Sequence, residues 1–264
     1  MPVLHEIRLF FIALQFFTRL PLPRWVGFEP DWLQQCARYF PLVGLLVGMV
    51  SALVLWAAQY LWTSTIAVGL SMAATVLLTG AFHEDGWADT CDGLGGAVSR
   101  EKALQIMKDS RIGSYGAVGL VLMLGLKAAA LVSLADTDLD SGLLVMAWAH
   151  MASRLAPVWV MHSLPYAGDA AHAKAKPLAT RISGAGVVVG SLTVLAAGAL
   201  ATWWQPDLLP LLCGSALVGA GACLGLQSWL ERRLGGYTGD NLGAVQQIVE
   251  LCILLTTLAL WDFV

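Results

Sequence analysis

Residues 64–93 read STIAVGLSMAATVLLTGAFHEDGWADTCDG, an uncharged apolar run that passes directly into a cluster of carboxylates. A helix needs about 20 apolar residues to cross a hydrocarbon core about 30 Å thick, because every backbone N–H and C=O must be satisfied inside the segment. Residues 64–83 meet that length, and the acids that follow put chemistry at one boundary of a membrane.

The same reading, carried outward, brackets seven spans at residues 40–62, 64–83, 114–135, 140–164, 183–204, 208–230 and 241–261. Composition agrees: 58% of residues are hydrophobic, 12% are charged and the mean hydropathy is +0.70, whereas about 25% of a soluble globule is charged. The predicted class is all-α, a polytopic helical bundle forming one integral membrane domain over residues 1–264. Residues 84–113 are expected as a cytoplasmic acidic loop with a short interfacial helix. Residues 9–17 are apolar but too short to cross, and no small-residue cleavage site follows them. They are expected to be retained, either as an amphipathic helix at the headgroups or as a re-entrant or packed helix.

Basic residues alternate between the ends of the spans. Arg8, Arg19, Arg24 and Arg38 precede the first; Arg100, Lys102, Lys108 and Arg111 lie between the second and third; Lys174, Lys176 and Arg181 between the fourth and fifth; Arg232 and Arg233 between the sixth and seventh. The loops around Thr63, residues 136–138 and Pro206 have none. Since Lys and Arg in short loops stay in the cytoplasm, the N-terminus and the acidic face are expected there and the C-terminus outside. Trp56, Trp62, Trp203, Trp204 and Trp261 fall near the outer ends, as an interfacial belt requires. The five cysteines are scattered, without zinc or disulfide spacing. A net charge of −3 argues against a nucleic-acid partner; lipid is the implied surrounding, and self-association is left open.

In the stretch after His83, a helical repeat places Asp85, Asp89 and Asp92 within an arc of about 60°, with Glu84 about 100° from Asp85. Like charges so spaced repel, and a divalent cation would compensate. Mg²⁺ prefers hard oxygen ligands and uses one or two carboxylates together with substrate phosphates. Gly93 stands where a helix would end. Residues 100–107 read as an amphipathic surface helix capped by Ser99. It leads to Lys108-Asp109-Ser110-Arg111-Ile112-Gly113, a glycine-punctuated turn that suits phosphate binding or simply starts the next helix. Arg232, Arg233, Gly235, Gly236 and Asp240 repeat that chemistry before the last span. Inside the spans, Glu250 with Gln246, Arg154 with His150, and Thr79 with His83 share helix faces; intramembrane charges face a cavity or a partner. Lys127 is expected to pair or snorkel, and His150 and His162 to pack.

Five segments together, Thr18-Arg19-Leu20-Pro21, Phe40-Pro41-Leu42-Val43-Gly44, the run His83-x-Asp85-Gly86-x-Ala88-Asp89-x-x-Asp92-Gly93, Asp109-Ser110-Arg111-Ile112-Gly113 and Gly235-Gly236-x-Thr238-Gly239-Asp240, resemble the cobalamin synthase family. That resemblance implies an integral membrane enzyme of bacterial vitamin B12 synthesis. Such an enzyme joins adenosylcobinamide-GDP to α-ribazole or its 5′-phosphate, releases GMP and requires Mg²⁺. Carried onto this sequence, it assigns Asp85, Asp89 and Asp92 to the metal, with Asp109 or Asp240 completing the shell or acting as base. Arg19 and Arg111 become phosphate candidates, Arg111 foremost, and His83 and Thr238 substrate-binding candidates; Arg154 and Glu250, outside those motifs, join the phosphate and substrate-binding candidates as ionisable residues within the spans. A similarity to CDP-alcohol phosphotransferases is partial, because Ala88-Asp89 stands where their motif has Ala-Arg. A transporter reading would need inverted repeats, and none stands out.

Overall fold

The computed structural model describes residues 2–96, 99–168 and 181–263. Among the described residues the chain forms twelve α-helices and no strand, apart from an isolated bridge between Tyr166 and Tyr237. The helices are α1 (Pro2–Phe17), α2 (Pro30–Gln35), α3 (Phe40–Ala58), α4 (Ser64–Thr79), α5 (Phe82–Gly96), α6 (Arg100–Met107), α7 (Ser114–Thr137), α8 (Leu139–Ser153), α9 (Leu155–Ser163), α10 (Gly184–Trp204), α11 (Leu208–Leu234) and α12 (Gly239–Trp261). Among the described residues six helical runs are long and apolar enough to span a membrane: Pro30–Ala58, α7, α8 continued by α9, α10, α11 and α12. The chain is thus a multi-pass membrane protein. Lys174 and Lys176, part of the charge pattern, lie outside the described residues.

The remaining expected span is broken. Helix α4 stops at Thr79, and α5 leaves it at 88°. Gly80 and Ala81 have φ of 71° and 59°, both left-handed, and both amides close on the Val76 carbonyl. Glycine takes this conformation freely; alanine pays about 1–2 kcal/mol for it. A second break divides α8 from α9 at Arg154. Pro157 has no N–H for the Ser153 carbonyl and its ring crowds that turn, and the Arg154 amide bonds to Met151 O instead of reaching His150 O.

Small residues let the helices meet closely. A Cβ on Gly44 would stand 2.4 Å from the His150 carbonyl oxygen, and one on Gly48 2.8 Å from Ala147 Cα, so α3 and α8 pack backbone to backbone. Large apolar side chains such as Leu195, Leu200, Leu217 and Leu224 face outward from α10 and α11, with Trp203 and Trp204 among the most exposed, as lipid contact requires. Helix α1 starts well before the expected apolar stretch and is packed on the bundle through Leu9, Ile12, Ala13 and Phe17, the last edge-on to Phe40.

The stretch expected as an acidic loop is mostly helix. It does not end at Asp92: α5 runs on to Gly96, and Gly93 is an interior position pressed against Met107 of α6. Helix α6 has the predicted Ser99 cap, whose hydroxyl accepts the Lys102 amide at 3.2 Å.

Candidate functional site

Helix α5 lies between α7 and α12 and separates two polar regions. Its open side carries Asp85, exposed, and Asp89, half-buried, one turn apart. Asp92 shares the arc that spacing demanded but has a different task. Its Oδ2 accepts the Gly113 amide at 2.7 Å and its Oδ1 the Gly116 amide at 2.8 Å. The first amides of a helix have no internal partner, and a carboxylate complements both them and the helix dipole. Buried Asp92 therefore caps α7, and glycine at 113 and 116 is what lets the backbone come so near. Among the described residues, no three His, Cys, Asp or Glu side chains are grouped to hold a metal ion. The trio expected from spacing thus divides into an open pair and a helix cap.

Asp240 is brought to α5 by its main chain. A Cβ on Gly86 would meet Asp240 O at 2.7 Å, and one on Gly243 would meet His83 O at 3.2 Å, so α5 and α12 cross in direct backbone contact. Thr238, expected at substrate, is buried and committed to a capping box. Its hydroxyl accepts the Asn241 amide at 3.3 Å, and Asn241 Oδ1 accepts the Thr238 amide at 2.9 Å. Asn241 Nδ2 then donates to Thr90 Oγ1 at 3.1 Å, fastening the start of α12 to α5.

The basic residues divide similarly. Arg111 is at the surface and donates to Asp109 through Nε at 3.0 Å and through its terminal nitrogen at 2.6 Å, which holds the guanidinium above its ordinary pKa. The two residues assigned separate roles by the sequence are a pair. Arg19 is exposed beside the α4–α5 break, its Nε where a Gly80 Cβ would project and its amide bonded to Leu78 O. Arg233 donates to Leu94 O at 3.1 Å and Arg100 to Leu234 O at 2.6 Å, so both satisfy carbonyls near helix ends.

The second region is inside the bundle. Lys127 Nζ lies 2.9 Å from Glu250 Oε1 and donates to Gln247 Oε1 at 2.7 Å. Glu250 Oε2 also faces His150 Nδ1 at 3.4 Å and accepts from Gln246, which donates to Ser153 Oγ as well. Arg154 turns back to donate to the His150 carbonyl at 2.8 Å, taking the acceptor that the α8–α9 break released. Arg154 is 2% exposed within the bundle. His150, expected to pack, belongs to this ionic network, whereas His162 is exposed and faces Ile182 O.

Thr79, His83, His150, Arg154 and Glu250 line one cleft of about 430 Å³, counting its mouth. Residues of the three expected faces do converge, although Thr79 and His83 stand on either side of the 88° break and not on one helix. Spacing alone missed Glu84 and Gln247, which also line it, with Gln247 Nε2 donating to Glu84 Oε1 at 3.2 Å. The signal was present: Glu84 points away from Asp85, and α12 with its glutamines lies on that side.

Residues 9–258 match the family model described as cobalamin-5-phosphate synthase. Curated relatives named adenosylcobinamide-GDP ribazoletransferase align over nearly the whole chain. The relative from Leptothrix cholodnii is 57% identical, covering 97% of each protein. That from Shewanella amazonensis is 44% identical over 98% of this chain and 97% of its own, and one from Vibrio cholerae is 42% identical over 97% and 95%. No solved structure matches the chain.

Proposed function

The chain belongs to the cobalamin-5-phosphate synthase family, and we propose that it acts as its curated relatives are named, as an adenosylcobinamide-GDP ribazoletransferase. In this reaction a ribose hydroxyl of α-ribazole, or of its 5′-phosphate, attacks the phosphorus attached to cobinamide. A new P–O bond forms, the bridging P–O bond breaks, and GMP leaves with the electron pair. The products are adenosylcobalamin or its 5′-phosphate, GMP and the hydroxyl proton.

The observation that carries the assignment to this face is the pair Asp85 and Asp89, one turn apart on the open side of a helix locked between α7 and α12. Two accessible carboxylates fit the donor set of Mg²⁺, whose remaining positions are commonly filled by water and substrate phosphates. Asp85 and Asp89 would hold the ion, and it would supply positive charge to the diphosphate as the leaving group takes up negative charge. Asp240, whose main chain meets α5 at Gly86, or Asp109 would receive the hydroxyl proton. Asp92 and the Thr238–Asn241 box act by position, holding α7 and α12 against the acidic helix. The run of basic residues supports a cytoplasmic location for this face, in a bacterial cytoplasmic membrane with the C-terminus outside.

Purified protein given adenosylcobinamide-GDP, α-ribazole and Mg²⁺ is expected to form adenosylcobalamin and GMP in equal amounts. Absence of GMP, or release of CMP from a CDP-activated lipid, would contradict the assignment.

A further inference from the structure

We propose that the cleft behind α5 is a receptor for a primary carboxamide carried on a short apolar arm, and that its ligand is one amide side arm of the corrinoid substrate. The identity of that ligand rests on the function proposed above; the chemistry of the cleft does not.

Three polar atoms of cleft-lining residues are buried without a hydrogen-bond partner among the described residues: Arg154 Nε, Glu84 Oε2 and His83 Nε2. Arg154 and His83 are 2% and 3% exposed. A buried donor or acceptor left unmade is costly, and such groups normally have a partner. The histidine ring is not free to turn elsewhere, because it stacks on Phe17 with ring planes 13° apart and meets Phe82 edge-on. The residues lining the cleft therefore hold a donor, an acceptor and an imidazole nitrogen without protein partners, the imidazole held in place by the two aromatic rings.

Charge selects among ligands. Lys127 is spent on Glu250, and Arg154 stands within the fields of Glu250 and Glu84. Two cations against two carboxylates leave no surplus for a phosphate, so the cleft suits a neutral group with both a donor and an acceptor. A carboxamide has that pattern: its oxygen accepts from Arg154 Nε–H and its N–H donates to Glu84 Oε2. The apolar wall of Val47, Met72 and Leu124 would sheath the methylenes of an arm. Corrin rings carry primary amides on such arms, whereas the ribazole substrate has none.

The test uses the intact protein in detergent, with cobinamide, which has the amides but no GDP, as the binding probe, alongside steady-state kinetics. Thr75→Leu fills the cleft without touching an ion pair, since the Thr75 hydroxyl donates to its own helix at Met72 O. Glu84→Gln must keep its oxygen toward the Gln247 amide, which turns an N–H donor toward the ligand's own N–H. Each variant is expected to weaken cobinamide binding at least tenfold and raise the KM for adenosylcobinamide-GDP by a similar factor, with the KM for α-ribazole unchanged. Unaltered cobinamide affinity in a folded variant, no cobinamide binding by the parent protein, or a change confined to the KM for α-ribazole would overturn the proposal; the cleft would then hold water. Cleft-dependent binding without any ribazole transfer would instead refute the function proposed above and leave the carboxamide receptor standing.

Discussion

Lys127 and Glu250 form an ion pair at 2.9 Å between α7 and α12, with side chains 7% and 2% exposed. Neither charge could remain in the bundle alone, because removing one partner of a buried pair costs about 3–5 kcal/mol. Lys127→Met is therefore expected to lower the thermal inactivation temperature in detergent sharply. Adding Glu250→Leu should recover roughly half of the loss or more, since the double variant leaves no uncompensated charge. A double variant as damaged as the sum of the singles would mean that the pair is not coupled.

Asp92 and its acidic neighbours should behave differently. Asp92→Ala removes the acceptor of two α7 amides and is expected to destabilise the protein by about 1–2 kcal/mol, as loss of a helix cap does. The Mg²⁺ concentration giving half-maximal rate should stay where it is. A clear rise in that concentration would return Asp92 to the metal shell.

Gly86 sets the distance between α5 and α12. A methyl group there meets the Asp240 main chain at 2.7 Å and 3.1 Å, which no side-chain rotation relieves. Gly86→Ala should cost about 1–3 kcal/mol and reduce turnover by moving Asp240 relative to Asp89. Gly125→Ala, on a helix with open space around the position, should be neutral or stabilising by up to about 1 kcal/mol. Equal behaviour of the two variants would show that the helix crossing is looser than described.

Topology can be read by labelling. Asp207 and Lys102 are exposed at opposite ends of the bundle by the charge pattern. An impermeant thiol reagent on intact cells should label Asp207→Cys and spare Lys102→Cys, and inverted vesicles should reverse the result. Labelling of Lys102→Cys from outside would place the acidic face in the wrong compartment.

The membrane class and most spans were legible because apolar length is itself the physical requirement. The break at Gly80–Ala81 was not: a glycine inside a span is ordinary, and no compositional signal marks an alanine held at positive φ. The face of α5 followed from 100° per residue, which put Asp85, Asp89 and Asp92 together. What the carboxylates meet depends on residues distant in sequence. Gly113 and Gly116 take Asp92 away from the open face, and Asp109 pairs with Arg111 although the resemblance had suggested a separate part for each. The cleft was legible as three helix faces with ionisable residues, yet the pairing of Lys127 with Glu250 and the turn of Arg154 toward His150 required the fold. Arg154 turns back to the His150 carbonyl because Pro157, three residues on, breaks its helix.

The direct measurement is transfer of α-ribazole to adenosylcobinamide-GDP by folded Asp85→Asn and Asp89→Asn protein, with Mg²⁺ titrated through the limiting range. Each variant should lose at least about a hundredfold in kcat/KM, corresponding to roughly 2.7 kcal/mol of transition-state stabilisation, and should require more Mg²⁺ for its remaining rate. Wild-type transfer at limiting Mg²⁺ by either variant would contradict the assignment of the reaction to the open face of α5.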